Sequence, residues 1–307
     1  MMYVQSVKNK KMIDITKLNK DIKKNEPLKK HCSFSIGGPA DFFYTAITRK
    51  GLLDVLKIAN ENNLKVFILA GGTNILCGDK GFRGLVIQNR INSFEQTETT
   101  IKVSSGLMMP VLVYKAVEAD LAGLEKFTGL PGTVGGAVFG NAGCNGVEVK
   151  DVLIEAEVLD LKTLNIRTEK AEYFNFEYRK SILRKTDEMI LTATFKVKKG
   201  VDSTVLEVLK EKLNIYRREK QPSGKTSGSF FKNPSKETSA GMLIDKVGLK
   251  GAKVGDAQIS SLHANFFMNT GNATANDILE LANLAIKKVE DKYNVTLQKE
   301  VRLIGEF

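Results

Sequence analysis

The stretch that most limits how this chain can fold is Gly129-Leu130-Pro131-Gly132-Thr133-Val134-Gly135-Gly136-Ala137-Val138, which runs on to Asn141-Ala142-Gly143. Glycine loses more backbone freedom on folding than any other residue, so a run this dense is costly to order. A close-packed set of turns can offset that cost. So can a flat or phosphorylated ligand lying against bare backbone. A second such stretch, Gly71-Gly72-Thr73-Asn74-Ile75-Leu76, follows the apolar run Lys65-Val66-Phe67-Ile68-Leu69-Ala70. Successive peptide N–H groups in a glycine turn form a concavity that suits phosphate, and Thr73 and Asn74 add donors. The alternative is a tight turn that ends a buried strand. Neither stretch is a GxGxxG or a GxxxxGK[ST] pattern, so neither a Rossmann fold nor a P-loop is indicated.

Around these loops the pattern alternates between strand and helix. Paired glycines before Pro39 mark a turn, and the apolar run after Asp41 a strand. Helical spacing over 52–62 turns Leu53, Val55, Leu56 and Ala59 inward, and 65–70 reads as a buried strand. This β-α-β rhythm indicates a mixed α/β domain. The polar stretch 89–100 is a hairpin or a seam between lobes. A strand at 101–103 follows, then a helix over 108–121 with Val111, Leu112, Ala116 and Val117 inward. Alternation over 152–198 predicts further strands. Gly200-Val201-Asp202-Ser203 reads as a linker before a helix over 203–218, with Val205, Val208, Leu209 and Leu213 inside. A short helix over 240–246, an amphipathic helix over 276–293 and a strand over 296–305 complete the chain, the strand carrying Glu300 and Arg302 on one face. Residues 1–30 read as a charged lead-in.

The balance of 46 Lys+Arg against 35 Asp+Glu, a formal charge of +11 over 307 residues, suits a polyanionic partner or a merely basic surface. The lysines are spread out, and no zinc-finger, basic-zipper or RRM-like pattern appears, so nucleic acid is not the expected partner. Three scattered cysteines form no CxxC pair, which indicates neither a disulfide framework nor a metal site. No run approaches the roughly 18 apolar residues of a membrane span, and the polar, lysine-rich start is unlike a secretory signal. The expected compartment is the cytoplasm.

Three other places carry chemistry. In Gly228-Ser229-Phe230-Phe231-Lys232-Asn233-Pro234, glycine and proline suggest a fixed turn whose aromatics bury one side. That would hold the Ser229 hydroxyl in place, with Lys232 and Asn233 open to an anionic or polar ligand. The alternative is an ordinary strand entering a loop. In Phe174-Asn175-Phe176-Glu177-Tyr178-Arg179-Lys180-Ser181, Arg179 either grips a carboxylate bidentately or stacks on Tyr178 at the surface. Glu300 and Arg302 are site residues or an exposed pair. His263 is expected to be packed rather than a base.

Together with Ile36-Gly37-Gly38-Pro39-Ala40-Asp41, the two glycine stretches, Tyr178-Arg179-Lys180-Ser181, the Ser229 turn and Glu300-Val301-Arg302-Leu303-Ile304-Gly305 resemble, in order, the motifs of the UDP-N-acetylenolpyruvoylglucosamine reductase family. The resemblance covers the chain from residue 28 onward. It implies an α+β protein: a lead-in over 1–33, an FAD-binding region of the PCMH (vanillyl-alcohol oxidase-like) type with two α/β lobes over 34–198, and an α/β substrate-binding domain over 199–307. It implies FAD held by Gly71, Gly72, Thr73, Asn74 and Ile75 and by Gly129, Pro131, Gly132, Thr133, Gly135, Gly136 and Ala137, with no metal. NADPH would reduce the flavin, whose N5 would pass hydride to C3 of UDP-N-acetyl-3-O-(1-carboxyvinyl)-glucosamine, giving the UDP-N-acetylmuramate used for peptidoglycan.

By the same resemblance Ser229 protonates C2, and Arg179 and Glu300 partner the enolpyruvyl carboxylate and its developing enolate. Tyr178, Lys232 and Asn233 contact substrate. The implied partners are the UDP-sugar and NADPH, acting on a monomer or weak dimer. The sequence departs from the family at Ser35, where a basic residue is usual, and at Thr73, often serine. Asn233 stands where related chains carry arginine. The spacing from Arg179 to Ser229 resembles the shorter subclass, which lacks a loop bearing a substrate-capping tyrosine.

Overall fold

The computed structural model describes residues 14–200 and 202–307. Its first sheet grows from the β-α-β unit. Strand Pro39–Ala46 leads into helix Arg49–Glu61, which returns the chain to strand Val66–Leu69. Both strands run parallel to Phe82–Asn89, which lies between them. The helix begins where Thr48 Oγ1 accepts the Gly51 N–H at 3.0 Å, satisfying a donor that the first turn leaves free. Leu52, Val55, Leu56 and Ala59 are buried against the sheet. Each of the larger ones contributes about 1.5–3 kcal/mol by leaving water. Leu53, expected inward with them, is only half-buried.

Residues 14–33 are not a detached lead-in. Lys23–Pro27 pairs antiparallel with Pro39–Ala46 as an edge strand, and Ile15 and Ile22 sit in the core beside helix Arg49–Glu61. Lys23 and Lys24 are exposed on that edge, where lysine discourages further pairing. Residues 1–13 of the stretch, and Val201 of the expected linker, lie outside the described residues.

The second sheet is antiparallel, in the order Ile166–Lys170, Leu153–Asp160, Glu188–Lys196, Thr100–Ser104, Phe94–Gln96. The polar stretch 89–100 is thus a hairpin, with Phe94–Gln96 paired to Thr100–Ser104. Helices Met109–Glu118 and Val134–Phe139 cover this sheet. Leu112, Ala116 and Val117 point inward, but Val111 is at the surface. The third sheet, Lys225–Ser229, Phe266–Asn269, Ala257–Ile259 and Lys253–Val254, packs with helices Ala240–Lys246 and Ala275–Tyr293. The latter opens with a reciprocal cap. Thr274 Oγ1 accepts the Asp277 N–H at 3.1 Å, and Asp277 Oδ2 accepts the Thr274 N–H at 2.9 Å.

One hydrophobic core crosses the molecule, joining Phe34, Phe43 and Leu76 to Phe230, Phe231, Phe267 and Leu281. The last strand, Arg302–Ile304, runs parallel to Ile75–Cys77 of the first glycine stretch. Helix Ser203–Lys220 differs most from its sequence reading. Val205 and Val208, expected inside, are 60% and 51% exposed, and Leu206 is its one buried residue. The buried stripe is rotated by one position, through Leu206 and the half-buried Leu209 and Leu213.

Candidate active site

A cleft of about 610 Å³ opens between the sheets, and the two glycine stretches form its floor. The stretches touch. A Cβ on Gly71 would lie 2.6 Å from Gly132 Cα, and one on Gly132 would lie 2.8 Å from Thr73 Oγ1. Gly72 has φ +68° and presses on the His31 carbonyl, so a side chain there is excluded twice over. Thr133 caps the short helix Val134–Phe139, its Oγ1 accepting the Gly136 N–H at 3.4 Å. Of the expected cofactor residues, Gly71 to Ile75, Pro131, Gly132, Thr133, Gly135, Gly136 and Ala137 line the cleft, and Gly129 does not. Gly129 instead makes room for Arg217, whose Cδ would be 2.4 Å from a Cβ at that position. Strand Val66–Leu69, read as buried, is half-open because Val66, Phe67 and Ile68 also face the cleft.

Three distant segments converge above this floor. The Phe230 carbonyl accepts the Glu300 N–H at 2.8 Å, and the Asn74 carbonyl accepts the Arg302 N–H at 3.1 Å. The Ser229 turn and the first glycine stretch thereby flank Glu300. Phe230 and Phe231 are both fully buried, as the turn's sequence suggested, and pack on Phe267 with ring centroids 4.6 and 5.7 Å away. Asn265 locks the turn: its Nδ2 donates to the Phe231 carbonyl and its Oδ1 accepts the Phe231 N–H, each at 2.9 Å.

Arg179 sits in the turn between Glu177 and Lys180 with φ +57°. The Ser181 hydroxyl donates to the Phe139 carbonyl at 2.7 Å, and Asn141 Nδ2 donates to the Glu177 carbonyl at 3.0 Å, which ties the turn to the second glycine stretch. From there Arg179 Nε donates to Glu300 Oε1 at 3.0 Å, and the guanidinium also lies 5.1 Å from the Tyr178 ring centroid. Arg179 thus meets a carboxylate through one bond rather than a bidentate fork, and it lies near Tyr178 while partly buried rather than at the surface. Burial pushes the Glu300 carboxyl above the ordinary glutamate range, against the opposing pull of Arg179, Lys232 and Arg184.

Tyr178, Arg179, Ser229, Asn233 and Glu300 line the cleft, whereas Lys232 stands beside it and acts through its charge. Asn233 Oδ1 is engaged by the Ala240 N–H at 3.2 Å. Ser35, at φ +54°, is not a cleft residue. His263 is packed as expected, its Nδ1 accepting the Asn265 N–H at 3.2 Å. Several cleft residues escaped the sequence reading. Asn89 Nδ2 donates to Ser105 Oγ at 2.8 Å, and that hydroxyl donates to the Ile190 carbonyl at 2.6 Å, a buried junction of the first two sheets. Arg184, Arg217 and Arg302 also line the cleft. Only Arg302 left a signal, through its alternation with Glu300.

Residues 220–304 match the family described as UDP-N-acetylenolpyruvoylglucosamine reductase, C-terminal domain. Residues 40–165 match the FAD binding domain family. A UDP-N-acetylenolpyruvoylglucosamine reductase of Clostridium novyi is 39% identical over 305 residues, covering 99% of this chain and 98% of the relative. The chain belongs to the UDP-N-acetylenolpyruvoylglucosamine reductase family. A reductase of the same name from Halalkalibacterium halodurans is 39% identical over 93% of this chain and 95% of its own. The crystal structure of UDP-N-acetylenolpyruvylglucosamine reductase from Thermus caldophilus superposes with a TM-score of 0.77 at 33% identity, covering 91% of this chain and 97% of that one. As a member of this reductase family the protein is an FAD-dependent oxidoreductase, α+β in class, with an FAD-binding region over 40–165.

The residues present fit FAD. The touching glycine loops leave bare backbone for a pyrophosphate. Arg184 Nε and Ser227 Oγ are buried without a hydrogen-bond partner among the described residues, and both residues face the cleft.

Proposed function

We propose that the cleft reduces UDP-N-acetyl-3-O-(1-carboxyvinyl)-glucosamine to UDP-N-acetylmuramate with NADPH as the electron donor. The observation that carries this reading is the ion pair between Arg179 and Glu300, 3.0 Å apart, reached across 121 positions and set in the same cleft as Ser229. In the proposed division of labour, 34–198 hold the cofactor and 199–307 the sugar nucleotide, with Glu300 and Arg302 brought back across the divide. Bound FAD supplies the two-electron carrier that links NADPH to the enolpyruvyl double bond.

The chain's own residues make that double bond reactive. An enol ether is electron-rich and resists a nucleophile at C3. The Arg179 guanidinium, oriented by Glu300, draws charge toward the substrate carboxylate and stabilises it as it develops. A second carboxylate arriving beside Glu300 disfavours its ionised form further, so substrate binding favours uptake of a proton by Glu300, which then donates a hydrogen bond to the enolate oxygen. The Ser229 hydroxyl, carried on the turn that Asn265 clamps at Phe231, gives its proton to C2. Tyr178 and Asn233 border the sugar nucleotide, and Lys232 adds positive charge from beside the cleft. We place the reaction in the cytoplasm, on a monomer or weak dimer; no described helix is long and apolar enough to cross a membrane.

Purified protein should be yellow and should oxidise NADPH only when given the enolpyruvyl sugar nucleotide. Colourless protein that takes up no FAD, or NADPH oxidation indifferent to that substrate, would refute the reading.

A further inference from the structure

Two guanidinium groups in the cleft have no task in the chemistry above. Arg184 ends the short turn Ile182–Arg184, and Arg302 begins the last strand. They come together over one ring: their guanidinium carbons lie 5.4 and 4.5 Å from the Phe139 centroid. Arg302 also lies 5.8 Å from the Phe67 centroid. Among the described residues, the nearest carboxylate to influence Arg184 is Glu300, which Arg179 already engages. Arg302 meets burial and the like charge of Arg184 with no compensating acid. Burial and this mutual repulsion hold Arg302 below the ordinary arginine range, and burial does the same to Arg184.

Two half-buried like charges against aromatic rings are costly unless an anion or strong acceptor joins them. The cleft lining offers two carboxylates. Glu300 is paired with Arg179, and Asp187 is engaged by Lys162. The positive charge therefore awaits a ligand. The sugar nucleotide's carboxylate already has Arg179, and the cofactor's pyrophosphate has the glycine loops. The sugar nucleotide's own diphosphate lies at the other end of that substrate from the enolpyruvyl group, whereas Arg184 is close enough to act on Glu300. What remains is the pyrimidine end of the flavin, whose N1–C2=O edge takes up negative charge when the ring gains two electrons.

We propose that Arg184, reinforced by Arg302, is a redox-tuning residue that stabilises this negative charge and so raises the reduction potential of the bound flavin. A positive group near N1 favours the anionic reduced ring by ordinary Coulomb attraction, strengthened where water is excluded. The inference rests on FAD occupying this cleft, as in the reading above.

The test uses substrate-free holoenzyme. Sulfite adds at flavin N5 and leaves the same negative charge at N1, so its affinity reports the local field without turnover. In Arg184→Gln the sulfite dissociation constant should rise about tenfold, the equivalent of a potential about 30 mV lower for a two-electron couple. Arg184→Lys should recover most of that loss, and Arg302→Gln should shift in the same direction. FAD uptake should remain stoichiometric. An unchanged sulfite affinity and potential in Arg184→Gln, with a raised KM for the enolpyruvyl substrate, would overturn the proposal and assign the pair to the substrate carboxylate. If both Arg184 variants fail to hold FAD, unchanged sulfite affinity in Arg302→Gln would overturn it. Because no substrate is present, failure of the reductase reading would show separately, as a wild-type flavoprotein with no turnover.

Discussion

Glu300 takes its behaviour from where its neighbours put it. Its carboxyl is buried and touches one guanidinium, and burial outweighs the opposing charges, so its pKa is raised. The neutral form therefore persists where an ordinary glutamate has ionised, and it is lost as pH rises through the raised value. In the folding equilibrium the native state binds this proton more tightly than the unfolded chain, so this group favours the fold at low pH and opposes it above. Reduction of the enolpyruvyl substrate should accordingly show a limb that falls with rising pH above the usual glutamate range. Glu300→Gln, which still donates a hydrogen bond, should lose that limb while keeping part of the rate. Single-turnover rates from pH 5 to 9 would check this. Arg179→Lys keeps the charge but not the planar fork. It should slow substrate reduction by about 100-fold, in the range found for removing one charge-stabilising donor. Flavin reduction by NADPH should change little.

At the scale of elements, the Ser229 turn is held by packing, by backbone bonds from Phe230 and Lys232 to Asn265, Gln298 and Glu300, and by one side chain. Asn265 satisfies both backbone groups of buried Phe231. Asn265→Ala would leave both without partners, which should cost about 2–4 kcal/mol, read as a lower midpoint in urea unfolding. Substrate reduction should fall with it, since the hydroxyl loses its fixed position. The turn's glycine, aromatics and proline were legible in the sequence, but Asn265 lies 34 positions from Phe231 and carries no local signal. Helix Ser203–Lys220 teaches a related lesson. Its length and its Asp202 cap were readable, with Asp202 Oδ1 accepting the Thr204 N–H at 2.8 Å. Its inward face was not, because Val205, Leu206, Val208 and Leu209 allow two stripes one position apart. Contact with the rest of the molecule selects between them.

At the scale of the whole molecule, the glycine stretches, the Arg179 turn, the Ser229 turn and Glu300 were readable as separate motifs. The sheet that joins them was not. Strand Arg302–Ile304 lies parallel to Ile75–Cys77 across more than two hundred positions, and that pairing carries Glu300 and Arg302 over the glycine floor. Arg184 and Arg217 were missed because a lone arginine in a helix or turn has a solvated surface position as its ordinary reading. Cleft walls built from both lobes and from the third sheet should also tighten when filled. FAD at about 100 times its dissociation constant should add about 2.7 kcal/mol to stability. Calorimetry of flavin-free and reconstituted protein should show a Tm several degrees higher with FAD, rising further with its concentration.

The most direct test of the proposed convergence is stopped-flow measurement of both half-reactions in Ser229→Ala. Flavin reduction by NADPH should stay within a fewfold of wild type, while reoxidation by the enolpyruvyl sugar nucleotide should slow by about 100-fold or more, as expected for loss of a general acid. Equal slowing of both halves, or an unchanged second half, would contradict the assignment of Ser229 as the proton donor.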